Sequence, residues 1–283
     1  MRMRRRVLTF AALVVFASLP AVAQLNLGLG GGGLNASVSG SSVNISLSLP
    51  GTIGTSLSLS FESVTGLTLG NVGLSARVIN PFDPAVLSRL PAGSFPALPV
   101  MLRIEPPVNG GLAFTGVVNL DIHTYSLLYS LGCPFRIYSA PLGGSFNDIT
   151  GSMGAGSYRA RGISGGFSEF LIVADLRSVN SVIGAKFGRL ENLLDEYEGD
   201  LSSPLYNDLS DLLEDAQADF AQDHTADAIG KIDDFADLVE AHSGTDIPNV
   251  WRAARDVDNV AGYLRAGAAT LRLSLDLKRS LNL

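Results

Sequence analysis

A chain of 283 residues with a formal net charge of −7 has length enough for one large or two ordinary domains. Its acidity, with no basic cluster past the N-terminus, makes nucleic acid and anionic membrane surfaces poor partners. One cysteine, Cys133, excludes an intrachain disulfide.

The first residues, Met1-Arg2-Met3-Arg4-Arg5-Arg6, precede an apolar run from Val7 to Leu19 and the small-residue site Ala21-Val22-Ala23. A basic start, an apolar middle and an A-x-A site together predict a signal peptide over 1–23, with the mature chain beginning at Gln24. The run is too short to span a bilayer, and no later run is longer, so no membrane span is expected after cleavage. Gly28-Leu29-Gly30-Gly31-Gly32-Gly33 fits G-x-G-x-x-G, but a dinucleotide loop needs a strand before it and a helix after it. Here a cleavage site precedes and a strand follows, so 24–34 reads as a flexible glycine-rich N-terminus.

From 35 to 177 short alternating segments recur. Val43, Ile45 and Leu47 alternate, as do Leu57, Leu59 and Phe61, then Val72, Leu74, Ala76 and Val78. Further strands are expected at Val100–Glu105, Leu112–Thr124, Phe135–Ser139, Phe146–Thr150, Ser157–Arg161 and Phe167–Val173. Many short strands, each with one apolar face and no helical crossover between them, predict two sheets packed as an all-β sandwich.

The period changes after Asp175. Ile183, Phe187, Leu190, Leu194 and Tyr197 follow helical 4-3-4-3 spacing, and three more helices are expected. The second takes Ser203 as N-cap with Pro204 in its first turn; the third starts after Thr225 and stops at Gly244. The fourth is capped by Asp246 and buries Val250, Trp251, Ala254, Val257, Ala261 and Leu264. Leu271, Leu273, Leu275 and Leu277 alternate strictly, which favours a C-terminal strand over 271–277 slightly above a continued helix. Charge shifts at the same seam: 24–178 hold 7 basic and 7 acidic residues, 179–283 hold 9 and 20. The reading is an all-β sandwich over 35–177 followed by an acidic all-α four-helix bundle over 178–283, two domains that fold separately.

Two stretches resemble known modules. Phe135-Arg136-Ile137-Tyr138, Phe146-Asn147-Asp148-Ile149-Thr150 and Phe167-Ser168-Glu169-Phe170 resemble the closing strands of ZU5-like or Ig-like sandwich modules of exported bacterial proteins. Phe146 stands where those modules usually carry Trp. Residues 183–264 resemble FIMAH-type helical modules through Tyr197-Glu198-Gly199, Leu212-Leu213-Glu214-Asp215-Ala216 and Phe235-Ala236-Asp237-Leu238-Val239. Together the two halves look like an uncharacterised secreted bacterial protein family. The resemblance implies a role in binding or surface architecture and carries over no catalytic residue.

Candidate chemistry is sparse. Gly162-Ile163-Ser164-Gly165-Gly166 fits G-x-S-x-G, yet a nucleophile elbow needs a helix after the turn, and a strand follows here. Histidines 123, 224 and 242 are scattered, and Cys133 has no thiolate partner nearby. Cys133 reads better as a small buried hydrophobe beside Pro134 than as a reactive thiol. Asp256-Val257-Asp258-Asn259 begins like a calcium loop without its glycine and glutamate, and reads as helix surface. Residues 191–246 hold 17 acidic side chains against Lys231 alone, a solvated face or a patch for a basic partner. The expectation is therefore no catalytic, cofactor-binding or metal residue and no cofactor. The chain reads as a non-enzymatic exported protein, periplasmic or extracellular, binding an unknown protein or glycan. A carbohydrate- or cell-wall-binding accessory protein is the alternative, and a secreted hydrolase the third.

Overall fold

The computed structural model describes residues 22–25, 33–49, 53–130, 132–154 and 156–282. The expected leader therefore lies outside the described residues up to 21, as does 26–32 of the glycine-rich stretch. Val22–Leu25 form β1, which pairs with β2 (Gly33–Ser39). Two antiparallel sheets and six helices make a mixed α+β fold.

The larger sheet runs through β1, β2, β3 (Ser42–Leu49), β4 (Ile53–Thr65), β8 (Ala113–Tyr129), β12 (Gly156–Ser164) and β11 (Thr150–Gly154). The smaller orders β10 (Asn147–Asp148), β9 (Phe135–Ala140), β13 (Glu169–Asp175), β7 (Val100–Ile104) and β5 (Leu74–Val78); β6 (Ser94–Pro96) pairs with β13. Strict alternation produces this arrangement, because successive side chains point to opposite faces. Val43, Ile45, Leu57, Leu59, Leu120 and Ile122 point inward from the larger sheet and meet Leu102, Ile104, Ile137, Phe170 and Ile172 of the smaller in one core. The other face of the smaller sheet is covered by residues 79–90, where a short helix α2 (Pro84–Leu87) supplies Val86 and Leu87 beside Tyr138 and Phe146. A single helical turn, α1 (Leu69–Val72), takes Val72 out of the strand expected there; Thr68 caps it and Gly73 ends it.

Four long helices follow: α3 (Val179–Glu196), α4 (Ser203–Ala221), α5 (Thr225–His242) and α6 (Val260–Leu281). Ser178 caps α3 by accepting from the Ser181 N–H. The N-cap of α4 is Ser202, one residue before the expected Ser203. Ile183, Phe187, Leu190 and Leu194 of α3 meet Leu209, Leu213, Ile232, Phe235, Leu264 and Leu271 in a second core.

Two expectations about the last segment fail. Residues 246–259 are not the first half of a helix: Val250–Arg252 form β14, which pairs with Phe114 and its neighbours on β8. Trp251 lies 5.3 Å from Phe114 and 5.0 Å from Phe167, centroid to centroid, inside the β core. Nor is 271–277 a strand; it belongs to α6. The leucine alternation misleads because α6 packs against α3 and α5 on one side and β8, β11 and β12 on the other. A helix buried on two sides carries apolar residues outside one stripe, so its 3.6-residue period fades.

Candidate functional site

The junction between sheets and helices contains a cleft of about 250 Å³. Its floor is Ser164 to Ser168, the turn from β12 into β13. Arg189 and Leu193 of α3 form one wall, Tyr263 and Gly267 of α6 another, and Asn147 and Asp258 lie on the remaining sides.

The G-x-S-x-G residues make that floor, for a reason of packing rather than nucleophilic chemistry. A Cβ on Gly165 would lie 2.5 Å from the Tyr263 backbone nitrogen, and one on Gly166 would lie 2.6 Å from the Tyr263 hydroxyl. Only glycine lets the first turn of α6 come this close. Ser164 Oγ donates to the Gly166 carbonyl at 2.7 Å and accepts from the Gly166 N–H at 3.2 Å, so the hydroxyl closes its own turn. No histidine lines the cleft among the described residues.

Asn259, expected on a helix surface with Asp256 to Asp258, is fully buried and joins three elements. Its Nδ2 donates to the Gly116 carbonyl at 2.6 Å and the Gly165 carbonyl at 3.0 Å, while Oδ1 accepts from the Gly262 N–H at 3.0 Å. One side chain therefore caps α6 and ties it to both β8 and the cleft floor.

Behind the cleft lies a buried ion pair. Lys186 Nζ of α3 sits 2.6 Å from Asp148 Oδ2 and also donates to Thr270 Oγ1 at 2.7 Å and Ser274 Oγ at 2.8 Å. Burial pulls the Lys186 amine below the usual lysine range, against the opposing pull of Asp148. Two more buried carboxylates are held by arginine. Glu169 accepts from Arg89 at 2.5 Å and Arg103 at 3.0 Å. Burial raises its pKa, but the two arginines overcome this and hold it low. Asp175 accepts from the Tyr138 hydroxyl at 2.6 Å and from Arg177 at 2.8 Å. Burial again opposes, and the Arg177 and Tyr138 hydrogen bonds prevail, bringing Asp175 down to about 2. These groups neutralise one another inside the fold.

Arg189 differs. It is half-buried in the cleft wall and has no hydrogen bond or ion pair among the described residues; burial lowers its pKa, and only Glu196 opposes that through space. Every other half-buried arginine described (Arg89, Arg103, Arg136, Arg177 and Arg265) has an acceptor. Arg255, also on the rim, is taken by Glu105.

The remaining sequence candidates do not converge. His123 lies 2.6 Å from Ser157 Oγ on the outer face of the larger sheet, and His242 pairs with Asp246 at 2.6 Å. His224 gathers with Asp219 and Asp227 at the α4–α5 turn, their ligand atoms within 4.8 Å of one another, on the exposed side. Cys133 is buried in the β core. The acidic run is partly answered by α6: Arg265 pairs with Glu240, Arg272 with Asp233 and Lys278 with Asp223. An open groove on the outer sheet face is polar, with Asn44, Ser46, Ser56, Ser58, Asp121 and His123, and no Phe, Tyr or Trp lines it among the described residues. No helix of the described residues is long and apolar enough to cross a membrane.

Sequence reading missed Arg189, Lys186 and Asn259. Lys186 left one trace, a charge inside the apolar stripe between Ile183 and Phe187 and Leu190. Arg189 left none, because a cationic residue beside a helix stripe usually points to water.

The family model for a family of unknown function (DUF6689) matches residues 11–279. The chain belongs to that family. Its match runs through both sheets and all four long helices, so DUF6689 spans the sheet–helix junction and not one half alone. No curated protein matches the chain.

Proposed function

We propose that this DUF6689 member is a non-enzymatic exported protein with a binding or surface-architecture role, and that its ligand site is the cleft floored by Ser164 to Ser168. On this reading the two sheets act as a β-sandwich, α3 to α6 as a four-helix bundle, and the site is the seam between them. The observation that carries it is a concave pocket at the junction of two cores, with convergent polar groups and one arginine that has no hydrogen bond or ion pair among the described residues. Export to the periplasm or beyond rests on the residues of 1–23, whose basic, apolar and small-residue blocks follow the order of a signal peptide.

The non-enzyme reading is supported by the Ser164 hydroxyl, which is engaged in its own turn, and by the absence of a histidine in the cleft among the described residues. A fluorophosphonate probe should leave Ser164 unlabelled; labelling that Ser164→Ala abolishes would establish a hydrolase. A glycan array and a pull-down with the exported protein test the binding role. Hits on either that fade when the cleft is blocked by Asn147→Trp, a half-buried position on its open side, with the fold retained by circular dichroism, would support it. Hits indifferent to that substitution would move the site elsewhere.

A glycan is the second reading of the ligand. The cleft offers ring edges of Tyr263 and Trp251 together with Ser139, Asn147 and Ser164, apolar carbon beside hydroxyl and amide groups.

A further inference from the structure

We infer that the cleft binds a ligand bearing a single carboxylate, the size of one acidic sugar residue, with the Arg189 guanidinium as the carboxylate anchor; this rests on the cleft being the binding site.

Three observations converge. First, a half-buried guanidinium usually finds a protein acceptor that fixes it in place. The chain supplies one for five other half-buried arginines and for Lys186, but not for Arg189. Arg189 is not among the buried groups left without a partner, so its guanidinium opens to solvent in the cleft, where a ligand can take the place of water. The planar fork of arginine matches a carboxylate through two parallel hydrogen bonds.

Second, the charge around the cleft selects a monoanion. Arg255 is consumed by Glu105, and Asp148 by Lys186. That leaves one cation, Arg189, with the exposed carboxylate of Asp258 on the rim and Glu196 acting on Arg189 through space. A dianionic phosphate would gain one arginine and meet Asp258 with twice the repulsion of a carboxylate. Asp258 also suits a ligand with hydroxyls to donate.

Third, the volume of about 250 Å³ falls just under the ~300 Å³ at which pockets for drug-sized ligands begin. One ring fits and an oligomer does not, unless it presents only its terminal residue. Tyr263 offers an apolar edge for the ring, and the Ser164–Ser168 floor and Asn147 offer short polar groups for hydroxyls.

The test uses the full exported chain and isothermal titration with glucuronate, glucose and glucose 6-phosphate. Glucuronate should bind at least tenfold more tightly than either of the others. Arg189→Gln should erase that preference, and Arg189→Lys should restore part of it. In the absence of sugar, Arg189→Gln should melt higher than the parent, because it removes a charge that burial penalises more than Glu196 offsets; a substitution that merely broke structure would melt lower. Equal affinity for glucuronate and glucose would overturn the carboxylate assignment while leaving the cleft as a glycan site. Tighter binding of the phosphate sugar would overturn the monoanion. Failure of all three sugars to bind, with no rise in melting temperature for Arg189→Gln, would overturn both the anchor and the cleft as a binding site.

Discussion

At the scale of single residues, the side chains that matter most are buried polar ones in the seam. Asn259 satisfies two carbonyls and one N–H that no water reaches, and an unpaired buried group costs about 1–3 kcal/mol each. Asn259→Ala should therefore lower unfolding free energy by at least ~2 kcal/mol, read from the midpoint of urea denaturation. Lys186 behaves differently because its partner is also buried. Lys186→Met alone strands the Asp148 carboxylate and should cost about 3–5 kcal/mol, the usual result of removing one member of a buried pair. Combining it with Asp148→Asn should recover most of that loss, since the amide can still accept from the Thr150 N–H at the distance of 2.8 Å that Asp148 now uses. A double-mutant cycle checks both statements; additive losses would mean that the pair is not a unit.

At the scale of elements, β14 and α6 decide how the halves are joined. Trp251 is the one tryptophan of the chain, and it stands in the β core although the segment around it connects two helices. Its fluorescence thus reports on the seam rather than on either half. Produced alone, residues 179–283 should keep helical circular dichroism while Trp251 emission shifts to the red, because Phe114 and Phe167 are no longer there to shield it. A buried, blue-shifted Trp251 in that fragment would mean that the helices fold around it without the sheets. The same seam explains the acidic helices. Arg265, Arg272 and Lys278, all on α6, face carboxylates of α5 and of the link between α4 and α5. Spacing along α6 does not reveal this pairing; only the fold brings those residues across from the acids.

At the scale of the whole molecule, charge governs the response to solution conditions. Asp175 has an ordinary pKa of 3.8 and a folded value of about 2, and Glu169 is also held low. A carboxylate with a depressed folded pKa stabilises the native state above its ordinary value and loses that contribution as pH falls through the folded one. Thermal melts should therefore show stability falling from pH 3.8 toward about 2, with Asp175→Asn flattening that part of the profile. Salt should act in the other direction. Asp208, Asp211, Glu214, Asp227, Asp234 and Asp237 are exposed without an ion pair among the described residues, and their repulsion outweighs the few pairs made by α6. The melting temperature should rise with sodium chloride as the screening length falls from about 30 Å at 0.01 M to about 3 Å at 1 M. Calcium at matched ionic strength should add nothing; a calcium-specific rise would place an ion at Asp219, His224 and Asp227.

Local pattern was enough to specify most strands and the first three long helices, because each of those elements buries a single face and its period survives in the sequence. Leu57, Leu59 and Phe61 announce β4, and Ile183, Phe187, Leu190 and Leu194 announce α3, with Ser178 and Gly199 near its ends. The pattern failed where an element is buried on two sides or borrowed across the seam. The α6 leucines lost their period between the bundle and the larger sheet, and Trp251 left a helical connection to complete a strand pair with β8. The cleft could not be read beforehand for the same reason. Arg189, Tyr263 and Ser164 lie far apart in the chain, and each looks ordinary in its own element. What makes Arg189 unusual is a missing acceptor, and whether an acceptor is present is decided only when α3, α6 and the β12–β13 turn close around it.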